Sequence, residues 1–244
     1  MRSVFQNLHA VRQATYLFVP GAWHGAWAWR PVAQRIREAG HRAIALTLPG
    51  LGDGDDPAGH KLSDAVDYIV GEARRLELDD VIIVAHSWGG YPATGAAHLL
   101  ADRVRKLVYY NAFVPTRGRC LFDDNPPELR DPMLELIMQS SAGVIPPCLE
   151  YAEVMMQEAA PQMQRLIADL LTPTPGHYFL DLAGFEPTDL NIPIAYVAGN
   201  NDIALQPPTA TFVARLGIDA IVVPGPHCGM LTHPDEVAKA ILAA

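Results

Sequence analysis

The stretch Val81-Ile82-Ile83-Val84-Ala85-His86-Ser87-Trp88-Gly89-Gly90 carries an unbroken apolar run into a serine and two glycines. A short continuous apolar run reads as a strand buried on both faces, as in the middle of a parallel sheet. Residues 91–101 read as a helix, so Ser87 falls on the turn between strand and helix. A turn that sharp brings together the side chains two places before and two places after its tip. Ala85 and Gly89 hold those places, and both are small. The pattern is a G-x-S-x-G nucleophile elbow with Ala85 in place of the first glycine. Such a turn exposes the serine at the carboxyl edge of the sheet, with its backbone at the positive end of the helix. The plain alternative is an N-cap serine. Strand, Gly-Gly and helix in register argue against it.

Outward from this point the chain alternates strand and helix, which predicts a mostly parallel sheet with helices on both faces. Residues 16–19 read as a strand stopped by Pro20-Gly21, 31–39 as a helix, and 42–48 as a strand ended by a glycine-rich loop at 49–54. Ser63 is placed to cap a helix whose apolar positions are Val66, Ile69, Val70, Ala73 and Leu76. Residues 106–113 form the next strand. From 116 to 190 the composition shifts to Pro, Met and acidic residues, with helical stretches at 132–140, 151–158 and 163–171 and no strand pattern. Alternation resumes with a strand at 194–198, a helix at 208–216, a strand at 220–223 and a helix at 235–242. The expected organisation is an α/β core built from 1–115 and 191–244, with a helical cap at 116–190.

Composition narrows the function classes. The chain has 244 residues, 18 basic against 27 acidic, for a net charge of −9. That balance disfavours nucleic acid and anionic membrane surfaces, which need clustered Lys and Arg. No apolar run reaches the ~20 residues of a membrane span, and residues 1–13 lack the apolar core of a signal peptide. A cytoplasmic location is the default expectation. Cys120, Cys148 and Cys228 are widely spaced, without metal-ligand or disulfide patterning, and read as free thiols. No metal and no cofactor are expected, and a homodimer stays open.

A serine hydroxyl needs a base to take its proton, and the base needs a third group to hold it. Asp202 closes the strand-like segment 194–202, and His227 lies in the loop Pro224-Gly225-Pro226-His227 after the last strand. Both fall at carboxyl strand ends, where active sites of such sheets gather. Asp123 and Asp124 compete as the acid but lie in the cap. Among the other histidines, His233 reads as a surface or capping residue, His86 as packed against the sheet, and His24 as able to reach the pocket. His9, His41, His60, His98 and His177 have no motif context. The oxyanion of acyl transfer needs preorganised N–H donors. The amide of Trp88, just after the nucleophile, is one. Ala22, in the loop after the first strand, is the other, and Gly21 permits that loop to turn.

With these residues in place, the run Phe18-Val19-Pro20-Gly21-Ala22-Trp23-His24-Gly25-Ala26-Trp27 resembles the HGAxHGAW segment of the plant methylesterase and hydroxynitrile lyase group and its bacterial esterase relatives. The elbow, the Asp202 loop and the segment from Pro226 to Pro234 resemble the same group. The resemblance spans 16–241, loosely in the cap, and implies an α/β-hydrolase fold. Pro20 stands where the group has His, and Ala85 where it has Gly; neither does acid-base chemistry. Cyanohydrin-cleaving members carry Thr at the place of Gly21 and Lys at the place of Cys228, so the resemblance implies ester hydrolysis and not cyanohydrin cleavage.

The expected activity is therefore cleavage of a small to medium apolar or aromatic ester or lactone through an acyl-enzyme. Ser87 is the nucleophile, His227 the base and Asp202 its orienting acid. The expected substrate pocket draws on Trp23, His24, Phe113, Met133, Ile137, Tyr151, Met155 and Tyr178, with Met138 and Phe179 also available. Two rivals remain at this point. One is a thioesterase, lactonase or cyclase using the same triad, and the other is a non-catalytic ligand-binding protein on the same scaffold.

Overall fold

The apolar run ending at Ser87 forms an inner strand. In the computed structural model, which describes residues 13–244, the chain begins with β1 (Thr15–Val19), α1 (Arg30–Glu38) and β2 (Arg42–Ala45). Next come α2 (Leu62–Arg75), β3 (Val81–Ser87), α3 (Gly90–Leu99) and β4 (Val104–Ala112). Between β4 and the next sheet strand lie α4 (Pro127–Gln139), β5 (Val144–Ile145), α5 (Leu149–Met155), α6 (Pro161–Leu170), β6 (Thr174–Pro175) and α7 (His177–Leu180). The chain then returns with β7 (Ile194–Gly199), α8 (Thr209–Leu216), β8 (Ile221–Val223), α9 (Gly229–Thr232) and α10 (Pro234–Ala243). The reading of residues 1–12, His9 included, lies outside the described residues.

Six strands form one sheet in the order β2-β1-β3-β4-β7-β8, every neighbouring pair parallel. Burial on both faces follows from the apolar content of β3, where only Ser87 at its end is not fully buried. Each flanking helix turns an apolar stripe to the sheet. Val32, Ala33 and Ile36 do so in α1, and Leu62, Ala65, Val66, Ile69, Val70 and Ala73 in α2. The chain steps from β1 outward to β2 and then crosses back to β3 on the far side of β1. This reversal is a topological switch point, and the loops leaving β1 and β3 part there to open a crevice at the carboxyl strand ends.

Three sequence expectations need correction. Ser63 is not the cap of α2, because the helix begins at Leu62 with Lys61 as N-cap; the Asp64 carboxylate accepts the Lys61 N–H at 2.8 Å. The second strand stops at Ala45, short of the expected 48. The segment 116–190 is not free of strands, because β5 and β6 pair antiparallel through two residues each. Pairing that short has no room to show a period of two. The insertion is bolted to the sheet side by Arg215 of α8, whose guanidinium meets both carboxylate oxygens of buried Asp124 at 2.7 Å. Among the described residues no helix is long and apolar enough to cross a membrane.

Candidate active site

Ser87 sits at the switch point with φ of +54°, a left-handed conformation that costs a non-glycine residue about 1–2 kcal/mol. Close backbone approach on all sides holds it there. A Cβ on Gly21 would stand 2.7 Å from the Cβ of Ser87. One on Gly89 would strike the Pro20 carbonyl, and one on Gly90 the Phe113 carbonyl. Ala85 is fully buried and pairs with Val19 and Tyr109 in the sheet ladders, which leaves little space for anything larger. Strain at a site so tightly boxed is retained because its surroundings over-determine it.

His227 and Asp202 meet as the sequence predicts. His227 Nδ1 donates to Asp202 Oδ2 at 2.8 Å, and both side chains are almost completely buried. The other oxygen, Oδ1, accepts the N–H groups of Ala204 at 2.9 Å and Leu205 at 3.0 Å. The carboxylate is thus held on both sides, and with the proton on Nδ1 the lone pair of His227 stands on Nε2. His227 and Ser87 line one cavity. His86 packs against Tyr110, as expected for a residue against the sheet, but its Nε2–H also donates to the His227 carbonyl at 3.1 Å. Sequence reasoning passed over Asn111, whose Nδ2 donates to the same carbonyl at 3.0 Å. A lone amide after the apolar run Leu107-Val108-Tyr109-Tyr110 was the available signal.

The loop after β1 is held by the insertion. Trp23, at φ +62°, donates its backbone N–H to Thr174 Oγ1 at 2.7 Å and its indole N–H to the Ile145 carbonyl at 3.2 Å. Its own carbonyl accepts from the Thr172 N–H at 3.0 Å. Ala22 and Trp88 both line the cavity beside Ser87. Among the described residues, neither of their backbone N–H groups donates to a protein acceptor.

The cavity has a volume of about 310 Å³. Of the expected pocket residues, Trp23, Phe113, Met133, Tyr151 and Met155 line it, and so does Phe179. Three do not. His24 is fully buried because Nδ1 bonds the Ala22 carbonyl at 2.6 Å and Nε2 approaches Cys228 Sγ at 3.6 Å, which turns the ring away from the cavity. Burial pushes its pKa down to about 4, so the ring is neutral. Tyr178 stacks on the outer face of Trp88 with centroids 4.2 Å apart, accepts the Trp88 indole N–H on its carbonyl at 2.6 Å, and donates its hydroxyl to the Pro49 carbonyl at 2.7 Å. Ile137 packs within the insertion against Gly176, and Met138 is 83% exposed. Leu121, Leu129, Val154 and Ile203 complete the apolar wall. They were not foreseen, since no periodicity distinguishes a helix face toward a cavity from one toward a core. Burial also pushes the Cys228 thiol well up, so it is uncharged beside His227.

A profile of the alpha/beta hydrolase family matches residues 16–240. The chain belongs to that family. Within it, the chain is 35% identical over 158 residues to the carbendazim hydrolyzing esterase of Nocardioides sp. (strain SG-4G), a match spanning 64% of each chain. It is 28% identical to methylesterase 18 of Arabidopsis thaliana over 94% of this chain and 96% of that one. Among solved structures of the family, an extracellular alpha/beta-hydrolase from a Paenibacillus species superposes with a TM-score of 0.87 at 23% identity, over 95% of this chain and 98% of that one. That structure is described as sharing structural and functional homology with tobacco salicylic acid binding protein 2.

Proposed function

We propose that this alpha/beta hydrolase cleaves carboxylic esters of small to medium size, apolar or aromatic, lactones included, through an acyl-enzyme on Ser87. The observation that carries the reading is the buried Asp202–His227 pair opening onto the cavity that Ser87 enters from a strained elbow. Ser87 Oγ attacks the ester carbonyl carbon while its proton passes to His227 Nε2, and Asp202 stabilises the imidazolium. The oxyanion accepts the N–H groups of Ala22 and Trp88, donors of a kind worth about 10²–10³ in rate each. The carbon–oxygen bond to the alcohol breaks as His227 returns the proton to the leaving oxygen. A water then attacks the acyl carbon, gives its proton to His227, and the acid departs as Ser87 regains its hydrogen.

The aromatic rings of Trp23, Phe113, Tyr151 and Phe179 and a volume near the lower end of small-molecule sites support an apolar or aromatic substrate of modest size. Residues 116–190 act as the cap that closes this cavity. The likeness to a carbendazim hydrolyzing esterase and a methylesterase supports ester hydrolysis in particular. Cys228 offers no cation to a cyanide leaving group, which weighs against cyanohydrin cleavage. Ser87→Ala is expected to abolish p-nitrophenyl ester hydrolysis with the melting temperature kept, and undiminished turnover would overturn the mechanism. Fluorophosphonate labelling at Ser87 separates an enzyme from a ligand-binding protein. Turnover compared across aryl esters, lactones and thioesters ranks the acyl donors.

A further inference from the structure

Among the described residues, three beside the cavity have a left-handed backbone without being glycine: Trp23, Ser87 and Asn111. The first two belong to the oxyanion loop and the elbow. Asn111, at φ +42°, has no place in the chemistry described so far and is fully buried. It is also the extra residue of a bulge. His86 pairs with Tyr110 and Ser87 with Ala112 across β3 and β4, so Asn111 has no partner in the ladder. Bulges re-aim a side chain out of the alternation of a strand, and they recur next to active sites.

The side chain so aimed bridges two loops. Asn111 Oδ1 accepts the Gly199 N–H at 2.7 Å, three residues before Asp202. Nδ2 donates to the Pro226 carbonyl at 3.2 Å and to the His227 carbonyl at 3.0 Å. The partners fix the amide's orientation, because an N–H only donates and a carbonyl only accepts. The His227 carbonyl receives a second donor from His86 Nε2 at 3.1 Å. Burial holds the His86 pKa well below its ordinary value, so the ring is neutral. Its one proton must then lie on Nε2, and Nδ1 is left buried without a partner among the described residues. The strand that carries Ser87 and the one beside it thus each send a donor to the main chain of His227.

We infer that Asn111 is a positioning residue for His227, fixing the base against Ser87 through the Pro226 and His227 carbonyls while tying the Asp202 strand to the same point, with His86 as the second donor. The inference rests on the reading of His227 as the base. Asp202 fixes the tautomer of the imidazole and the rotation of its ring, but a ring can turn about one bond and still drift with its backbone. The two donors on the carbonyl remove that drift. A misplacement of about 1 Å at a proton-transfer distance costs about 100-fold in rate.

Asn111→Gly tests this directly, because glycine accepts the left-handed backbone and the side chain alone is lost. Its kcat on p-nitrophenyl acetate is expected to fall about 30- to 100-fold with KM within about twofold of the parent, and fluorophosphonate labelling of Ser87 should slow in parallel. Asn111→Asp, which keeps the Gly199 acceptor and the shape, should lose kcat as well if the donors matter. At the second donor, His86→Gln, which retains an N–H near the same place, should keep more kcat than His86→Ala. Circular dichroism and melting temperature establish that each variant is folded at the assay temperature. Should Asn111→Gly lose its fold, the comparison of His86→Gln with His86→Ala decides alone. Parental kcat in folded Asn111→Gly, or equal losses in the two His86 variants, would overturn the inference. Retained activity in Ser87→Ala would instead overturn the mechanism beneath it.

Discussion

The carboxylate of Asp202 has both oxygens committed, one to the His227 imidazole and one to the two backbone N–H groups of Ala204 and Leu205. Asp202→Asn can keep the backbone contacts with its carbonyl oxygen only by turning its NH₂ toward Nδ1, which drives the histidine proton to Nε2, the tautomer that cannot act as base. The expected loss in kcat is about 10⁴-fold with little change in melting temperature. Steady-state kinetics alongside a thermal melt checks this, and parental kcat would remove Asp202 from the proposed triad. The elbow at Ser87 and the meeting of Asp202 with His227 were legible in the sequence because each of the three is a polar residue at or just beyond the end of an apolar strand, in an order this sheet topology brings together. His24 and Tyr178 are of the same chemical kind and just as near in sequence, yet they turn away from the cavity. Their direction is set by acceptors, the Ala22 and Pro49 carbonyls, whose positions exist only after folding.

The pair β5–β6 shows how a small element controls a site it does not belong to. Its two-residue strands supply Ile145 and Thr174, which hold the indole and the main-chain N–H of Trp23, next to Ala22. Thr174→Val keeps the volume but deletes the acceptor, leaving the buried Trp23 N–H unpaired. A cost of about 1–3 kcal/mol in stability is expected. A loss of about tenfold in kcat should accompany it as the loop carrying Ala22, the proposed oxyanion donor, loosens. Urea denaturation and kinetics on the same preparation test both parts, and an unchanged urea midpoint would show that the Trp23 N–H finds another acceptor. Helices and long strands of the core were readable because apolar residues recur at helical intervals in α2 and run unbroken through β3. A two-residue strand has no interval to read, and its place is decided by the loop it holds.

Over the whole molecule, the buried histidines couple folding to pH. His24 titrates at about 4, and His86 lies well below the ordinary 6.5, in both cases chiefly because burial penalises the charged ring. The unfolded chain takes up these protons on falling below about 6.5 while the folded chain does not, so this stability is present above that value and lost toward lower pH. Each histidine contributes a slope of about 1.4 kcal/mol per pH unit below its unfolded pKa. Urea midpoints should therefore fall from about pH 7 to about pH 5, and a flat profile would show that both rings are protonated in the fold. The sequence by itself determined the strand–helix alternation, the elbow at Ser87, the candidates Asp202 and His227 beyond later strands, and the place of the insertion. These are carried by residue type and local spacing, which sequence displays directly. Tertiary structure alone decided which aromatic rings face the cavity, that β5 and β6 hold the loop after β1, and that Asn111 and His86 converge on the His227 carbonyl. Those relations join residues up to 151 positions apart, as Trp23 is from Thr174, and no local pattern encodes a contact whose two halves are ordinary until the sheet brings them together.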